Sequence, residues 1–250
     1  MQSIDILGCR VDAVDRAEAV ARVADLAQHA HGALVVTLGV EMVMAAQRDA
    51  PFRAIVNGAA LCVCDTIGLL LASRIRGGPL RERVTGVELV DALAARSASS
   101  GDVRLYFLGA GAGTAQRAAE ALEKRYPGAR IAGAANGYFR DDDVPAIVAA
   151  IRASGANVLC AGLGSPRQER WLAQHLPETG CGVGIGVGGS FDIFAGNVKR
   201  APAAIQRAGF EWAYRLASEP RRWRRQLALP VFAVAAVKEM FVRQTGRPNS

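Results

Sequence analysis

The chain has 250 residues, of which 51% are hydrophobic and 21% charged, and its formal net charge is +7. This balance excludes a disordered or low-complexity chain, because enough apolar surface is available to offset the entropy lost on folding. No uncharged apolar run reaches the roughly eighteen residues that a spanning helix needs, and no basic stretch with an apolar core opens the chain. We therefore expect a cytoplasmic protein without a spanning helix or a secretory signal.

Short apolar runs alternate with amphipathic segments along the first 200 residues. We predict strands at 4–8, 34–37, 61–64, 103–108, 130–133, 157–161 and 182–187. We predict helices at 15–28, 40–48, 66–76, 87–97, 114–125, 144–152 and 166–175, and helical structure from 201 to about 244. Apolar strands separated by helices indicate an α/β, Rossmann-like fold, with a mainly parallel sheet that carries helices on both faces.

The positive charge is concentrated near the C-terminus. Residues 199–225 contain eight cations, seven of them arginine, against two acids, and thus hold +6 of the net charge. We divide the chain into an α/β body at 1–199 and a basic, helical C-terminal appendage at 200–250. Because the guanidinium group suits phosphate, the partner of the appendage is a nucleic acid, an anionic membrane or a diphosphate substrate, unless these cations form a solvated helix face.

The cysteines predict no disulfide and no zinc site. There are five, an odd number, at positions 9, 62, 64, 160 and 181, and most lie in or beside apolar runs, which is typical of buried thiols in a reducing compartment. Cys62 and Cys64 form a C-x-C pair rather than the C-x-x-C of zinc or redox sites.

Three glycine-rich turns follow predicted strands, at 108–113, 162–166 and 184–189. Ligands bind at the carboxyl ends of parallel strands, where glycines let backbone N–H groups approach a phosphate. Each turn alone is typical of an ordinary strand–helix connection, but the three together predict a phosphate-bearing ligand. The first turn lacks the G-x-G-x-x-G spacing and a following acidic residue, which argues against the main alternative, a nicotinamide-dependent enzyme acting on nucleotide sugars.

Two acidic residues stand where catalytic groups are expected. Asp65 follows an apolar strand, where it is either a catalytic base or the N-cap of the next helix. Glu169 lies in the first turn of a helix that Pro166 begins, where it is either a site residue or a capping residue. Asp141 and Asp143 match a D-x-D metal signature, but they precede a helix whose dipole favours acids, so we predict no metal and no other cofactor there.

Further motifs complete an ordered set. They are Thr37 with Glu41, Asp65 with Gly68, and the segments 83–86, 107–109, 126–128, 137–139, 162–169, 188–192, 195–196, 200–202, 211–216 and 219–222. In this order they resemble the WecG/TagA/CpsF glycosyltransferases over residues 30–225. The resemblance implies inverting transfer of a hexose or N-acetylhexosamine-type sugar from a UDP-sugar to a polyprenyl-diphosphate-linked saccharide, in cell-surface polysaccharide synthesis at the cytoplasmic face of the plasma membrane.

The chemistry of such a transfer fits these residues. Inversion needs a carboxylate that accepts the proton of the attacking hydroxyl, and it needs positive potential on the departing diphosphate, which arginines and helix N-termini supply without a metal. The resemblance makes Asp65 the catalytic base and places Thr37 in the active site. The substrate-binding residues that we expect are Arg83, Gly109, Gly111, Tyr138, Phe139, Gly164, Gln168, Glu169, Gly188, Ser190, Arg215, Arg222 and Arg225.

Among these, the resemblance implies that Arg83 reaches a phosphate and that Gln168 and Glu169 lie beside the donor. Arg215, Arg222 and Arg225 would clamp the lipid diphosphate or the UDP. One residue departs from the family, which usually reads Thr-x-Asn-x-Glu where this chain has Gly39. Glycine has no side-chain amide, so a hydrogen bond near the reacting centre is missing, and the identities of the sugar and the acceptor stay open.

The appendage also predicts a membrane contact. Residues 221–225 read Arg-Arg-Trp-Arg-Arg, and residues 227–237 are mostly apolar. Each cation near an anionic leaflet contributes roughly 1 kcal/mol to binding, so we expect peripheral attachment to an anionic membrane surface. Packing against a second copy of the chain is the alternative, and both can hold. A nucleic-acid-binding protein is disfavoured, because few aromatic residues lie among the cations and the glycine-rich turns would have no role.

Overall fold

The computed structural model describes residues 1–202, 204–205, 211–218 and 227–245, without the side chains of residues 215, 217, 218 and 240–245. The strands are β1 Ser3–Ile6, β2 Cys9–Asp12, β3 Ala33–Leu38, β4 Leu61–Cys64, β5 Leu105–Gly109, β6 Ile131–Ala135, β7 Val158–Gly162 and β8 Val183–Gly186. The α-helices of the body are α1 Arg16–His29, α2 Val40–Ala46, α3 Ala50–Gly58, α4 Ile67–Ile75, α5 Gly86–Ser100, α6 Thr114–Arg125, α7 Val144–Ala153, α8 Arg167–His175 and α9 Ser190–Phe194. Beyond them lie α10 Glu211–Ser218 and α11 Ala228–Thr245, and two short 3-10 helices cover Asp141–Asp143 and Leu176–Thr179.

Strands β3 to β8 form one six-stranded sheet in the order β4-β3-β8-β7-β5-β6, and every pairing in it is parallel. Strands β1 and β2 form a separate antiparallel hairpin. The parallel α/β architecture predicted from the alternation of apolar and amphipathic segments is therefore confirmed. Parallel strands place their carboxyl ends along one edge, so the loops that follow β3, β4, β5, β7 and β8 meet there.

Helices cover both faces of the sheet, as predicted. On β3, the fully buried Val35 packs in a core with α1, α5, α6 and α9, whereas Val36 packs on the opposite face with α2, α3 and α4. The second face continues under α7 and α8, around Leu108 and Leu172. Each such buried side chain contributes about 1.5–3 kcal/mol through the hydrophobic effect. Burial on both faces explains why the strands read as continuous apolar runs.

Two elements, β2 and α3, were not predicted from the sequence. The strand expected at 4–8 ends at Ile6, because Leu7 and Gly8 adopt positive φ and turn the chain back into β2. At the end of β2, Asp12 accepts a hydrogen bond of 2.8 Å from the backbone N of Cys62 on the edge strand β4. The second element is α3. Its N-cap is Asp49, whose side chain accepts a hydrogen bond from the backbone N of Phe52.

All five cysteines are buried and free, as predicted. Burial raises the pKa of Cys9 to about 11 and that of Cys64 to about 12, so these thiols stay protonated at neutral pH. Within the described part of the chain, no group of three or more acidic, cysteine or histidine side chains is arranged to hold a metal ion. Nor does any described helix combine the length and apolarity needed to cross a bilayer.

Candidate active site

A cleft of about 840 Å³ opens at the carboxyl edge of the sheet, over the ends of β3, β4, β5, β7 and β8. All three glycine-rich turns contribute to its walls, through Gly111, Gly164 and Gly188 among others. This is the position at which doubly wound sheets bind their ligands. A second groove of about 720 Å³ lies between α5, α6 and α9, and its described lining includes none of the predicted site residues.

Asp65 lines the cleft directly after β4. It is not the N-cap of α4, which is Thr66. Instead, its Oδ1 accepts a hydrogen bond of 3.0 Å from the backbone N of Gly86, the first residue of α5. The N-cap of α5 is Thr85, which forms a capping box with Glu88. The carboxylate is thus held in place by the start of a fifteen-residue helix.

Thr37 and Gly39 lie at the end of β3, and both line the cleft. The buried hydroxyl of Thr37 donates a hydrogen bond of 2.7 Å to the carbonyl oxygen of Gly186, which ties β3 to β8. Gly39 is the N-cap of α2 and makes no side-chain capping bond. A Cβ atom at this position would lie 3.2 Å from the Thr66 methyl group. Glu41 also lines the cleft, although the sequence analysis gave it no role.

Gln168 is buried in the cleft wall and uses both ends of its side-chain amide. Its Oε1 accepts from the backbone N of Gly188 at 3.1 Å, and its Nε2 donates to Glu169 at 2.7 Å. Gln168 therefore fixes the turn after β8, where Gly188 has a φ of +54°. This positive φ favours glycine over residues with a Cβ.

Glu169 is fully buried behind Gln168 and is not part of the cleft lining, and its expected place beside the donor stays a prediction. A Cβ atom at Gly186 would lie 2.8 Å from Oε1 of Glu169, which explains the glycine on β8. Burial raises the pKa of this carboxyl, and hydrogen bonds from Gln168 and Ser165 only partly counteract that effect. Glu169 thus contacts Gln168, which lines the cleft.

The loop after β6 presents one of its two predicted aromatic residues to the cleft. Tyr138 lies at the rim with 81% of its surface exposed. Phe139 is not among the lining residues, because its ring packs edge-on against Trp171 at 6.3 Å, and its contact with a substrate stays a prediction. Arg167 lies over the same ring at 4.9 Å and donates to the carbonyl oxygen of Gly137 at 3.0 Å. Phe139 therefore anchors the loop that carries Tyr138.

Two further predicted residues have structural contacts. Gly109, the last residue of β5, does not line the cleft, and a Cβ atom there would lie 2.5 Å from the backbone of Gly162 on β7. The glycine permits close approach of the two strand ends, and its contact with a substrate stays a prediction. Ser190 does line the cleft, but its buried hydroxyl donates to the carbonyl oxygen of Val187 at 2.6 Å.

The appendage borders the cleft. Glu211 and Trp212 of α10 and Leu229 of α11 are among its lining residues. Arg83 also lines it, and its guanidinium donates to Glu211 at 3.2 Å. The backbone of Arg215 belongs to α10, whereas its side chain and the whole of Arg222 and Arg225 lie outside the described residues.

The charged lining is mostly acidic over the described part of the chain. It comprises Glu41, Asp65, Asp192 and Glu211, with Arg83 as the cation. Sequence reasoning missed Asp192 and its neighbour Asn197, which donates to it at 3.1 Å and to the Thr114 hydroxyl at 3.3 Å. Asp192 lies in the motif at 188–192 and Asn197 follows the motif at 195–196, but nothing in the sequence indicated that these residues meet Thr114 at the start of α6. This lining offers proton acceptors, and an anionic substrate needs further positive charge.

Comparison with known proteins identifies the family of the chain. The profile of the Glycosyl transferase WecG/TagA/CpsF family matches residues 4–246. A relative from Bacillus spizizenii is 34% identical over 87% of this chain and 83% of its own length. Another, from Bacillus subtilis, is 31% identical over 87% of this chain and 84% of its own. Both are named N-acetylglucosaminyldiphosphoundecaprenol N-acetyl-beta-D-mannosaminyltransferase. The resemblance recognised in the motifs is thereby confirmed, and the chain belongs to the WecG/TagA/CpsF family of glycosyltransferases.

Proposed function

We propose that the protein is an inverting glycosyltransferase that moves an N-acetylhexosamine-type sugar or a hexose from a UDP-sugar to a polyprenyl-diphosphate-linked saccharide. The observation that carries the proposal is the Asp65 carboxylate, held by the start of α5 in a cleft at the carboxyl edge of a parallel sheet. The names of the two relatives support an acceptor of this class, because both act on an undecaprenyl-diphosphate-linked sugar.

In the proposed reaction, a hydroxyl of the acceptor attacks C1 of the donor sugar, and the carboxylate of Asp65 accepts the hydroxyl proton. The bond between C1 and the phosphate oxygen breaks, and UDP leaves with its electron pair. A single displacement of this kind inverts the configuration at C1. Thr37 and Gln168, which are buried and hydrogen-bonded to β8 and the turn after it, provide rigid walls for this step.

The departing UDP needs positive potential that the acidic lining of the described cleft does not supply. We assign this role to Arg83, to the backbone N–H groups of the glycine-rich turns and to Arg215, Arg222 and Arg225 of the appendage. With these groups the reaction needs no metal ion. The exposed ring of Tyr138 at the rim offers a stacking surface for the uracil base.

We further propose that the enzyme works as a peripheral protein at the cytoplasmic face of the plasma membrane, in cell-surface polysaccharide synthesis. The appendage at 200–250 would then contact both the substrate and the anionic leaflet. Three valines of α11, Val231, Val234 and Val237, are exposed, which suits contact with lipid or with a second copy of the chain. Lipid contact and self-association thus use overlapping surface.

A panel of UDP-sugars tested with a polyprenyl-diphosphate-N-acetylglucosamine analogue examines the proposal. We expect one donor to yield UDP and a disaccharide-lipid product, with UDP release dependent on the acceptor. Absence of transfer with every donor, by full-length protein supplied with anionic phospholipid vesicles, would contradict it. A reaction that consumed a nicotinamide nucleotide would instead favour the alternative enzyme class.

A further inference from the structure

The carboxylate of Glu211 lies between Arg83 of the body and Arg200, the first residue of the appendage. Its Oε2 accepts from Arg83 at 3.2 Å, and its Oε1 lies 3.8 Å from Nε of Arg200. Arg200 also donates to Glu88 at 2.9 Å. Only 13% of the Glu211 side chain and 16% of the Arg83 side chain are exposed. Charges this far from solvent are screened weakly, and each depends strongly on its partner.

This chain of charges ends at the helix turn that holds the proposed base. Glu88 closes the capping box at the start of α5, and Asp65 accepts its hydrogen bond from Gly86 in the same turn. Burial raises the pKa of Glu88, but hydrogen bonds from Thr85 and Arg200 outweigh this effect and hold the pKa below its ordinary value. The pair of Glu88 and Arg200 is therefore ionised at neutral pH. Glu211 therefore connects α10 to the support of the catalytic carboxylate.

We propose that Glu211 is a positioning residue for the transfer reaction, which rests on the proposed function. It acts through Arg83: its carboxylate fixes the direction of the guanidinium, and the same contact docks α10 so that Trp212 closes the cleft. Glu211 itself need not touch the substrate. A misplaced phosphate-binding arginine and a displaced wall both move the reacting groups out of line, where small displacements cost large factors in rate.

The sign of the effect separates this role from two simpler ones. If Glu211 only added negative charge, Glu211→Gln would improve the binding of anionic substrates and lower KM. If Glu211 only withheld Arg83 from the substrate, the variant would be faster than the wild type. Positioning predicts the reverse, a decrease in kcat/KM of about tenfold or more, expressed mainly in kcat.

A matched control exists on α11. Glu239 of α11 pairs with Arg76 at 3.1 Å, and the exposed fractions of these side chains are 16% and 13%. This pair also joins the appendage to the body, but neither residue lines the cleft. Glu239→Gln should therefore retain activity within about twofold of the wild type. Equal losses in Glu211→Gln and Glu239→Gln would reduce the role of Glu211 to general docking and overturn the proposal.

The decisive experiment is a double-mutant cycle of Arg83→Gln and Glu211→Gln, measured as kcat and KM with donor and acceptor at constant salt. Because Glu211 acts through Arg83, its substitution should have little further effect once Arg83 is replaced. Multiplicative losses, or an unchanged or faster Glu211→Gln enzyme, would overturn the positioning role. Circular dichroism and urea unfolding identify a variant that has lost its fold. If Glu211→Gln does not fold, Glu211→Asp replaces it in the cycle, and its shorter carboxylate is expected to support only part of the wild-type activity. A wild-type protein without transfer activity would instead overturn the proposed function, and this role with it.

Discussion

Replacing Asp65 by asparagine separates the proton-accepting role of this side chain from its structural role. The carboxylate accepts a hydrogen bond of 3.0 Å from Gly86, and the asparagine carbonyl oxygen can accept the same bond. The free energy of unfolding should therefore change by less than about 1 kcal/mol, the net contribution of one such bond. The amide cannot accept the proton, and loss of a general base costs about 10²–10⁴ in rate, or about 2.7–5.5 kcal/mol in activation free energy.

The assay compares initial rates of acceptor-dependent UDP release, and calorimetry measures the affinity for UDP, which should stay within about twofold of the wild type because the base does not hold the nucleotide. Asp91→Asn is the matched control. Asp91 lies on α5 outside the cleft, where it accepts from the Tyr126 hydroxyl at 2.9 Å and pairs with Arg125. A folded Asp65→Asn enzyme that keeps a rate within about tenfold of the wild type would refute the assignment of Asp65 as base.

Two further substitutions test Gly39, which lines the cleft, and Glu169, which lies behind its wall. Gly39→Asn should fold normally, because the N-cap φ of −110° suits asparagine and only the Thr66 methyl group must shift. The asparagine should restore one hydrogen bond and raise kcat/KM for an N-acetylhexosamine donor about fivefold in competition assays. An unchanged ratio of kcat/KM between donors would count against this role. Glu169→Gln should keep the acceptor for Gln168 and most of the activity. Since the folded-state pKa of Glu169 is raised, the stability that its neutral form provides is present at acidic pH and is lost as the pH rises through that pKa. The free energy of unfolding in urea should therefore increase for Glu169→Gln relative to the wild type between about pH 4 and about pH 8. Parallel pH dependences of the two proteins would contradict this.

Periodicity predicted most of the body. The apolar runs at 61–64 and the amphipathic segment at 114–125 coincide with β4 and α6, because burial on one or both faces leaves a regular pattern. Strand β2 was missed because Cys9–Asp12 alternates charged and apolar residues over only four positions. Helix α3 was missed although Asp49 and Pro51 mark its start. Strand order depends on contacts distant in sequence and could not be predicted from local pattern.

The position of the site was easier to predict than the direction of its side chains. Asp65 and Gln168 line the cleft, because residues after parallel strands meet at one edge. Arg83 also lines it, from the loop between α4 and α5. Whether a side chain points into the cleft depends on packing that no motif records. Glu169 turns inward beside Gly186, and Phe139 turns toward Trp171. The family resemblance identified residue types and spacing, whereas the acidic character of the described lining emerged only from the structure.

The proposed reaction is a single displacement at C1 of the donor sugar, in which the carboxylate of Asp65 accepts the proton of the attacking hydroxyl. The anomeric configuration of the product bond, measured by NMR spectroscopy after transfer from an α-linked UDP-sugar, tests it most directly. A β-linked product is expected, because a single displacement inverts the configuration at C1. An α-linked product would mean retention of configuration, and Asp65 could not then act as the base of a direct attack.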